Sequence, residues 1–153
     1  MTSAELVDAG LTAKAIAHRV ATGWLVRWHR GVFLVGPHEA PLSRARAAVL
    51  AVGEGAVLSH LAAAALWEFL APRPGVIDVT LPGRSARNRA GIRVHRVRDL
   101  HPADVTRRRD LPVTSPARTL LDLAAHLSPR DLARATEEAE VQRRVRLNTA
   151  CSS

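Results

Sequence analysis

Residues 12–36, TAKAIAHRVATGWLVRWHRGVFLVG, change hydrophobic period half-way along, and that change decides the fold. Thr12 can cap a helix, because its hydroxyl can accept from an unpaired first-turn amide. Ile16 and Val20 lie four apart on one face, while Lys14, His18 and Arg19 occupy the others. Gly23 ends the helix, since glycine tolerates a left-handed backbone. From there the period is two: Trp24, Val26 and Trp28 share one face of a strand, and Leu25, Arg27 and His29 the other. Arg30-Gly31 turns the chain and residues 32–35 return. A two-residue loop sets Trp28 opposite Phe33 and Val26 opposite Val35, closing an apolar face around Trp24, Trp28 and Phe33. A bulged loop shifts that register by one.

A short polar-faced helix that runs into a basic hairpin has the form of a recognition helix and its wing. Such a helix suits the major groove through Thr12, Lys14, His18 and Arg19, and the wing suits phosphates through Arg27, His29 and Arg30. The same pattern fits an unspecified α+β core. Upstream, Ser3 can cap a short helix over residues 4–9 with Leu6 inward, and Gly10-Leu11 makes the helix–turn–helix connection. A three-helix winged core requires one more helix before Met1, so either the start lies upstream or another segment fills that place.

The chain has 153 residues, enough for one medium domain or two small ones. Its net charge is +8, and arginine supplies the cations except for Lys14, which favours a polyanionic partner over a purely solvating surface. The single cysteine, Cys151, excludes a disulfide framework and a cysteine-based metal site. MTSAELVDAG has no basic, apolar leader pattern, and the longest apolar run, residues 61–70, contains Glu68 and is too short to span a bilayer. A cytoplasmic location is the expectation, with no membrane partner.

Beyond Gly36-Pro37 and Pro41, where the spacing places a boundary, the pattern predicts a second unit. A helix over residues 42–52 turns Leu42, Ala45, Val49 and Val52 inward and Arg44 and Arg46 outward. Residues 56–58 are a short apolar run, and Ser59 precedes a nearly all-apolar helix, residues 60–70, expected at the centre. Residues 76–81 (VIDVTL) read as a strand, residues 82–91 as a loop, and residues 92–98 as the returning strand, with Ile92 and Val94 opposite in phase to Arg93 and His95. A last hairpin turns around residues 108–111. Ser115-Pro116 and Ser128-Pro129 are helix starts. The first of these helices buries Leu120, Leu121, Leu123, Ala124 and Leu127; the second runs through Leu132, Ala135, Ala139 and Arg143. Residues 148–153 are expected to fray.

Nine arginines fall between Arg84 and Arg109, against Asp99 and Asp104, a net of +7. Arg84, Arg87, Arg89, Arg93 and Arg96 are candidates for further phosphate contacts; the bland alternative is a solvated loop and hairpin face. Catalytic chemistry finds no support. Serines 43, 59, 115 and 128 sit where helix caps belong, and no nucleophile elbow or glycine-rich phosphate loop occurs. A nuclease site with a lysine beside carboxylates has only Lys14 to draw on. His60, His95, His101 and His126 lack ligand-type spacing, so no metal or cofactor is expected.

Four segments together resemble the AbiEi-type antitoxins of type IV toxin–antitoxin systems, in particular their actinobacterial branch. They are RGVFLVG at residues 30–36, AVLSHLAAAALWEF at 56–69, IDVTLPGRS with GIRVHR at 77–85 and 91–96, and LPVTSPARTLLDLA at 111–124. The order and spacing of all four carry the resemblance, which runs to about Arg144. It implies an N-terminal winged helix that binds and represses its own promoter, followed by an antitoxin domain. It also implies a nucleotidyltransferase-like toxin, opposed without a stable complex. By position, Lys14, His18 and Arg19 would face the groove, and Arg27 and Arg30 the phosphates. Against that family pattern, the first winged-helix helix is expected to be missing, and the chain is expected to stop before the Vsr-like endonuclease domain that many relatives carry.

The sequence therefore predicts an α+β protein without enzymatic activity. Residues 1–36 form a helix-turn-helix with a hairpin wing for double-stranded DNA, and residues 37–147 a small α+β domain of antiparallel strands and C-terminal helices. Two alternatives stay open: an RNA-binding or protein-interaction module using residues 84–109, and a truncated remnant of a nuclease-domain protein.

Overall fold

The structure, a computed structural model, describes residues 1–36, 42–83 and 88–142. The proposed boundary segment at 37–41, Arg84, Arg87, Arg143 and the tail 148–153 lie outside the described residues.

The first unit is built from α1 (Ser3–Asp8), α2 (Ala13–Ala21), β1 (Leu25–His29) and β2 (Val32–Val35). Helix α1 starts one residue earlier than its serine suggests. Thr2 is the cap: its hydroxyl accepts from the Glu5 amide while the Glu5 carboxylate accepts from the Thr2 amide, a reciprocal capping box. Thr12 caps α2 as expected, accepting from the Ala15 amide at 3.2 Å. Leu6, Ile16, Leu25 and Phe33 form a small core, flanked by Leu11 and Val20.

The hairpin adopts the bulged register. His29 pairs with Val32 across Arg30-Gly31, but Arg27 pairs with Phe33, Val26 with Leu34 and Leu25 with Val35. The bulge falls at Trp28, and it reverses the expected faces. Leu25 and Phe33 turn toward α1 and α2, whereas Trp24 is 71% exposed and Val26 is exposed. The face of Trp24, Val26 and Trp28 is therefore not the face of this small core. Trp28 instead packs against the main core, with the Arg44 guanidinium 5.7 Å from its ring centre. Residues 1–3 run along β2: Met1 and Phe33 exchange backbone hydrogen bonds of 2.8 Å, and Ser3 donates to Gly31.

The second unit is a five-stranded mixed sheet of order β5-β4-β3-β7-β6, where β3 is Val57–Leu58, β4 Ile77–Pro82, β5 Ile92–Val97, β6 Val105–Arg108 and β7 Leu111–Thr114. The expectation of an all-antiparallel arrangement is corrected here. β5 runs parallel to β4, Ile77 pairing with Ile92 through to Pro82 with Val97, so the chain crosses back before re-entering the sheet. The central β3 is parallel to β7 and antiparallel to β4. The β6–β7 hairpin is antiparallel and turns on Arg109-Asp110, both at positive φ (50° and 61°), as a primed two-residue turn requires.

Helix α3 (Ser43–Val52) packs against the sheet and against β1–β2, joining the two units. Its most buried residues are Ala47, Ala48 and Ala51, a face rotated from the predicted one; Leu42, Ala45, Val49 and Val52 flank it. These alanines let the helix approach closely. Ser43 is inside the helix rather than at its cap, which Leu42 occupies. Helix α4 (His60–Trp67) ends three residues earlier than predicted, where Glu68 turns left-handed at φ 67°. It lies against β4 and α5 (Pro116–Ala124), and α5 against α6 (Pro129–Val141). Ser115 and Ser128 cap α5 and α6 as predicted. Leu120 and Leu123 are buried in α5, but Leu121 is 68% exposed because Thr119 takes the inward position, bonded to Thr114 at 2.8 Å. The Trp67 indole, also buried, donates to the Thr114 carbonyl.

Candidate nucleic-acid interface and a histidine cluster

The predicted recognition residues stand on the outside of the small N-terminal core. Ile16 faces inward, so the helical period leaves Lys14, His18 and Arg19 exposed along α2. Thr12 is also exposed, but its hydroxyl is engaged in capping. Arg27 is exposed and its guanidinium lies 5.4 Å from the Phe33 ring centre, and Arg30 projects at the turn. His29 is half-buried. Burial, then the nearby Arg89 guanidinium, holds its imidazole below the usual histidine range. That second influence comes from an arginine of the β4–β5 connection.

Among the described residues, the remaining arginines of this region stand in different surroundings. Arg93 and Arg96 are three apart on β5 and point to opposite sides. Arg93 faces Asp78 at 3.6 Å, while Arg96 is exposed on the other side. Arg107, Arg108 and Arg109 belong to the β6–β7 hairpin at the far edge of the sheet. Arg109 meets Glu68 at 2.6 Å, Arg108 meets Glu68 at 3.5 Å and covers the Trp67 ring, and Arg107 donates to the Asp110 carbonyl.

A second constellation was not legible in the spacing. His60, at the start of α4, His95, on β5, and His126, just beyond α5, each place one ring nitrogen within 4.8 Å of the others. The His60 and His95 rings stack with centres 3.6 Å apart, and His126 meets His60 edge-on at 4.9 Å. Every imidazole has one nitrogen anchored. His60 Nδ1 is 3.0 Å from Ser59 Oγ, His95 Nε2 is 2.8 Å from Asp78 Oδ1, and His126 Nδ1 is 3.1 Å from the Asp122 carbonyl. Ser59 occupies the helix cap position, yet its hydroxyl makes no capping bond and serves His60 instead. His60 sits at φ 49°, an uncommon conformation for a non-glycine residue.

The surroundings are acidic, in contrast to the chain as a whole. Asp78 is 2% exposed. Arg118 is held by Asp122 at 2.8 Å and by Asp104 at 3.2 Å, and the Asp122 hydrogen bond, ahead of the other contacts, raises its already high pKa. Asp122 Oδ2 is buried without a hydrogen-bond partner among the described residues. Against Arg93 and Arg118, the three aspartates Asp78, Asp104 and Asp122 leave a formal charge of −1. Burial first, then His95, push the His60 pKa down to about 4; His126 adds to this, while Asp122 and Asp78 oppose it. The imidazole is therefore neutral at pH 7.

The sequence profile of the AbiEi antitoxin C-terminal domain matches residues 54–145, well over half of the chain. The chain belongs to this family. Membership places it among the antitoxin domains of toxin–antitoxin systems. The match spans the central sheet, α4, α5 and α6, and therefore the whole histidine cluster. The fold is also similar to the crystal structure of the RV2827C protein from Mycobacterium tuberculosis, with a TM-score of 0.57 at 20% sequence identity. That alignment covers 90% of this chain and 66% of the other, so the chain spans about two thirds of that structure's length. No curated protein matches the sequence. Among the described residues, no helix is long and apolar enough to cross a membrane.

Proposed function

We propose that this AbiEi-family chain is a DNA-binding antitoxin that represses its own promoter, with no catalytic step of its own. One observation carries the reading. Lys14, His18 and Arg19 are exposed on α2 immediately before a hairpin that exposes Arg27 and Arg30, all mounted on one small core. A helix of this kind presents side chains to base edges, and the hairpin cations fix register on phosphates. In this reading residues 1–36 bind DNA, residues 37–147 form the antitoxin part, and the protein acts in the cytoplasm. Its functional counterpart is a nucleotidyltransferase-like toxin, opposed in the type IV manner without a stable complex.

Gel shifts on the DNA upstream of its own reading frame test this, with Arg27 and Arg30 changed to alanine together. Each lost phosphate contact should lower the slope of log affinity against log salt by about 1 and weaken specific and non-specific binding alike. Unchanged binding would remove the hairpin from the mechanism. Binding that survives deletion of residues 1–36 would instead favour the arginine-rich region of residues 84–109 as an RNA or protein contact.

A further inference from the structure

We propose that His60, His95 and His126 form a binding site for one divalent transition-metal ion of the zinc class. Imidazole is a preferred donor for such ions, and it must be neutral to ligate. The hydrogen bonds described above engage His60 Nδ1, His95 Nε2 and His126 Nδ1, which leaves the other nitrogen of each ring as the donor. Metal-binding histidines characteristically have their second nitrogen tied to a carboxylate, a carbonyl or another polar group, and all three rings here have such an anchor. Asp78 supplies the carboxylate and Asp122 the carbonyl.

A second observation points the same way. The Asp122 carboxylate carries a buried oxygen without a partner among the described residues, and its field reaches His60. Arg118 pairs with the other oxygen of Asp122, and a dication beside the imidazoles would add a favourable field at the oxygen left without a hydrogen bond. The net negative charge of the surroundings, in a chain of net charge +8, favours the same occupant.

The geometry needs a rearrangement, because the His60 and His95 rings stack 15° from parallel with centres 3.6 Å apart and must tilt apart before their in-plane lone pairs meet at one ion. Nitrogens on a tetrahedral ion at ~2.05 Å stand about 3.3 Å apart, whereas the present spread reaches 4.8 Å. His126 is the exposed member, beyond the last turn of α5, and can swing toward the other two. Three protein ligands then leave one coordination position on the solvent side. The ion would tie the edge strand β5 to the start of α4 and the end of α5.

The test is titration of the full chain, stripped with chelator and carrying Cys151→Ser so that the thiol adds no site, with zinc chloride by calorimetry. Cobalt(II) reports coordination geometry by visible absorption. One ion per chain is expected, with a melting temperature that rises with ion concentration. His126→Ala removes an exposed ligand without disturbing the core and should weaken binding about 100-fold or more, beyond the 10–100-fold expected of an outer-shell change. Asp78→Asn should weaken it by roughly 10-fold, and His18→Ala should leave it unchanged. The proposal is overturned if no ion binds, or if zinc binds wild type and His126→Ala equally. Octahedral-type cobalt absorption that His126→Ala does not alter would overturn it equally.

Discussion

The neutral, buried His60 makes the metal-free protein sensitive to mild acid, and the size of the effect follows from its surroundings. Its imidazole titrates at about 4 in the folded chain, against an ordinary value of 6.5. The causes are burial first, then the stacked His95, with His126 adding and Asp122 and Asp78 opposing. Because the folded value is the lower one, the unfolded chain takes up the proton first. The contribution to stability is fully present above pH 6.5, declines as pH falls, and is gone below pH 4. At 1.36 kcal/mol per pH unit the total is about 3 kcal/mol, of which about 2 kcal/mol is lost between pH 7 and pH 5. With a urea dependence of roughly 1–3 kcal/mol per molar, that loss moves the unfolding midpoint by about 1 M. Urea titrations at pH 7 and pH 5, with chelator present, measure it. His60→Gln removes the titrating group while keeping a polar side chain, so the difference between wild type and variant reports this histidine together with its coupling to His95 and His126. The wild type should lose about 2 kcal/mol more than the variant over that interval. Equal losses would refute the reasoning, since they would mean that His60 takes up its proton as readily in the folded chain as in the unfolded one.

The hairpin and the acidic cluster give further outcomes. Phe33→Ala, deep in the small N-terminal core, should cost about 3–5 kcal/mol, whereas Trp24→Ala, on an exposed ring, should change stability by no more than about 0.5 kcal/mol. Thermal melts of the two variants distinguish the bulged register from the unbulged one, which would bury Trp24. Arg118→Leu leaves Asp122 and Asp104 facing each other without their shared cation and should destabilise the chain by about 3 kcal/mol. Urea unfolding at pH 7 measures that loss, and a variant as stable as wild type would contradict it.

Local signals in the sequence were reliable where local physics decides the outcome. The caps Thr12, Ser115 and Ser128, the Arg30-Gly31 turn and the phase of Ile92 and Val94 all follow from backbone chemistry within a few residues. What depended on distant partners was not legible. The bulge at Trp28 moved Leu25 inward, a choice made by contacts from α1 and α2 on one side and α3 on the other that period-two counting cannot see. The parallel pairing of β5 with β4 is a long-range choice of direction that the alternation within each strand does not encode. The histidine cluster was hidden for the same reason: ligand spacing rules describe residues on one element, and these three come from α4, β5 and the end of α5. Two hints were present. Asp78 places a carboxylate within the strand of residues 76–81, and Ser59-His60 sets a hydroxyl directly beside an imidazole. The arginine run shows the same dependence on distant partners, because strand alternation and the hairpin at the far edge place its described members Arg93, Arg96 and Arg109 in different surroundings.

DNA recognition by the N-terminal unit is the central functional claim, and a competition binding measurement at physiological salt tests it most directly. Fluorescence anisotropy would compare the upstream region of its own reading frame with scrambled DNA, for wild type and for the double variant His18→Ala, Arg19→Ala. The account predicts that wild type prefers its own region by about 1,000-fold or more, and that the double variant loses most of this preference while retaining non-specific binding. Equal affinity of the wild type for both DNAs, or a preference that the double variant keeps in full, would contradict it.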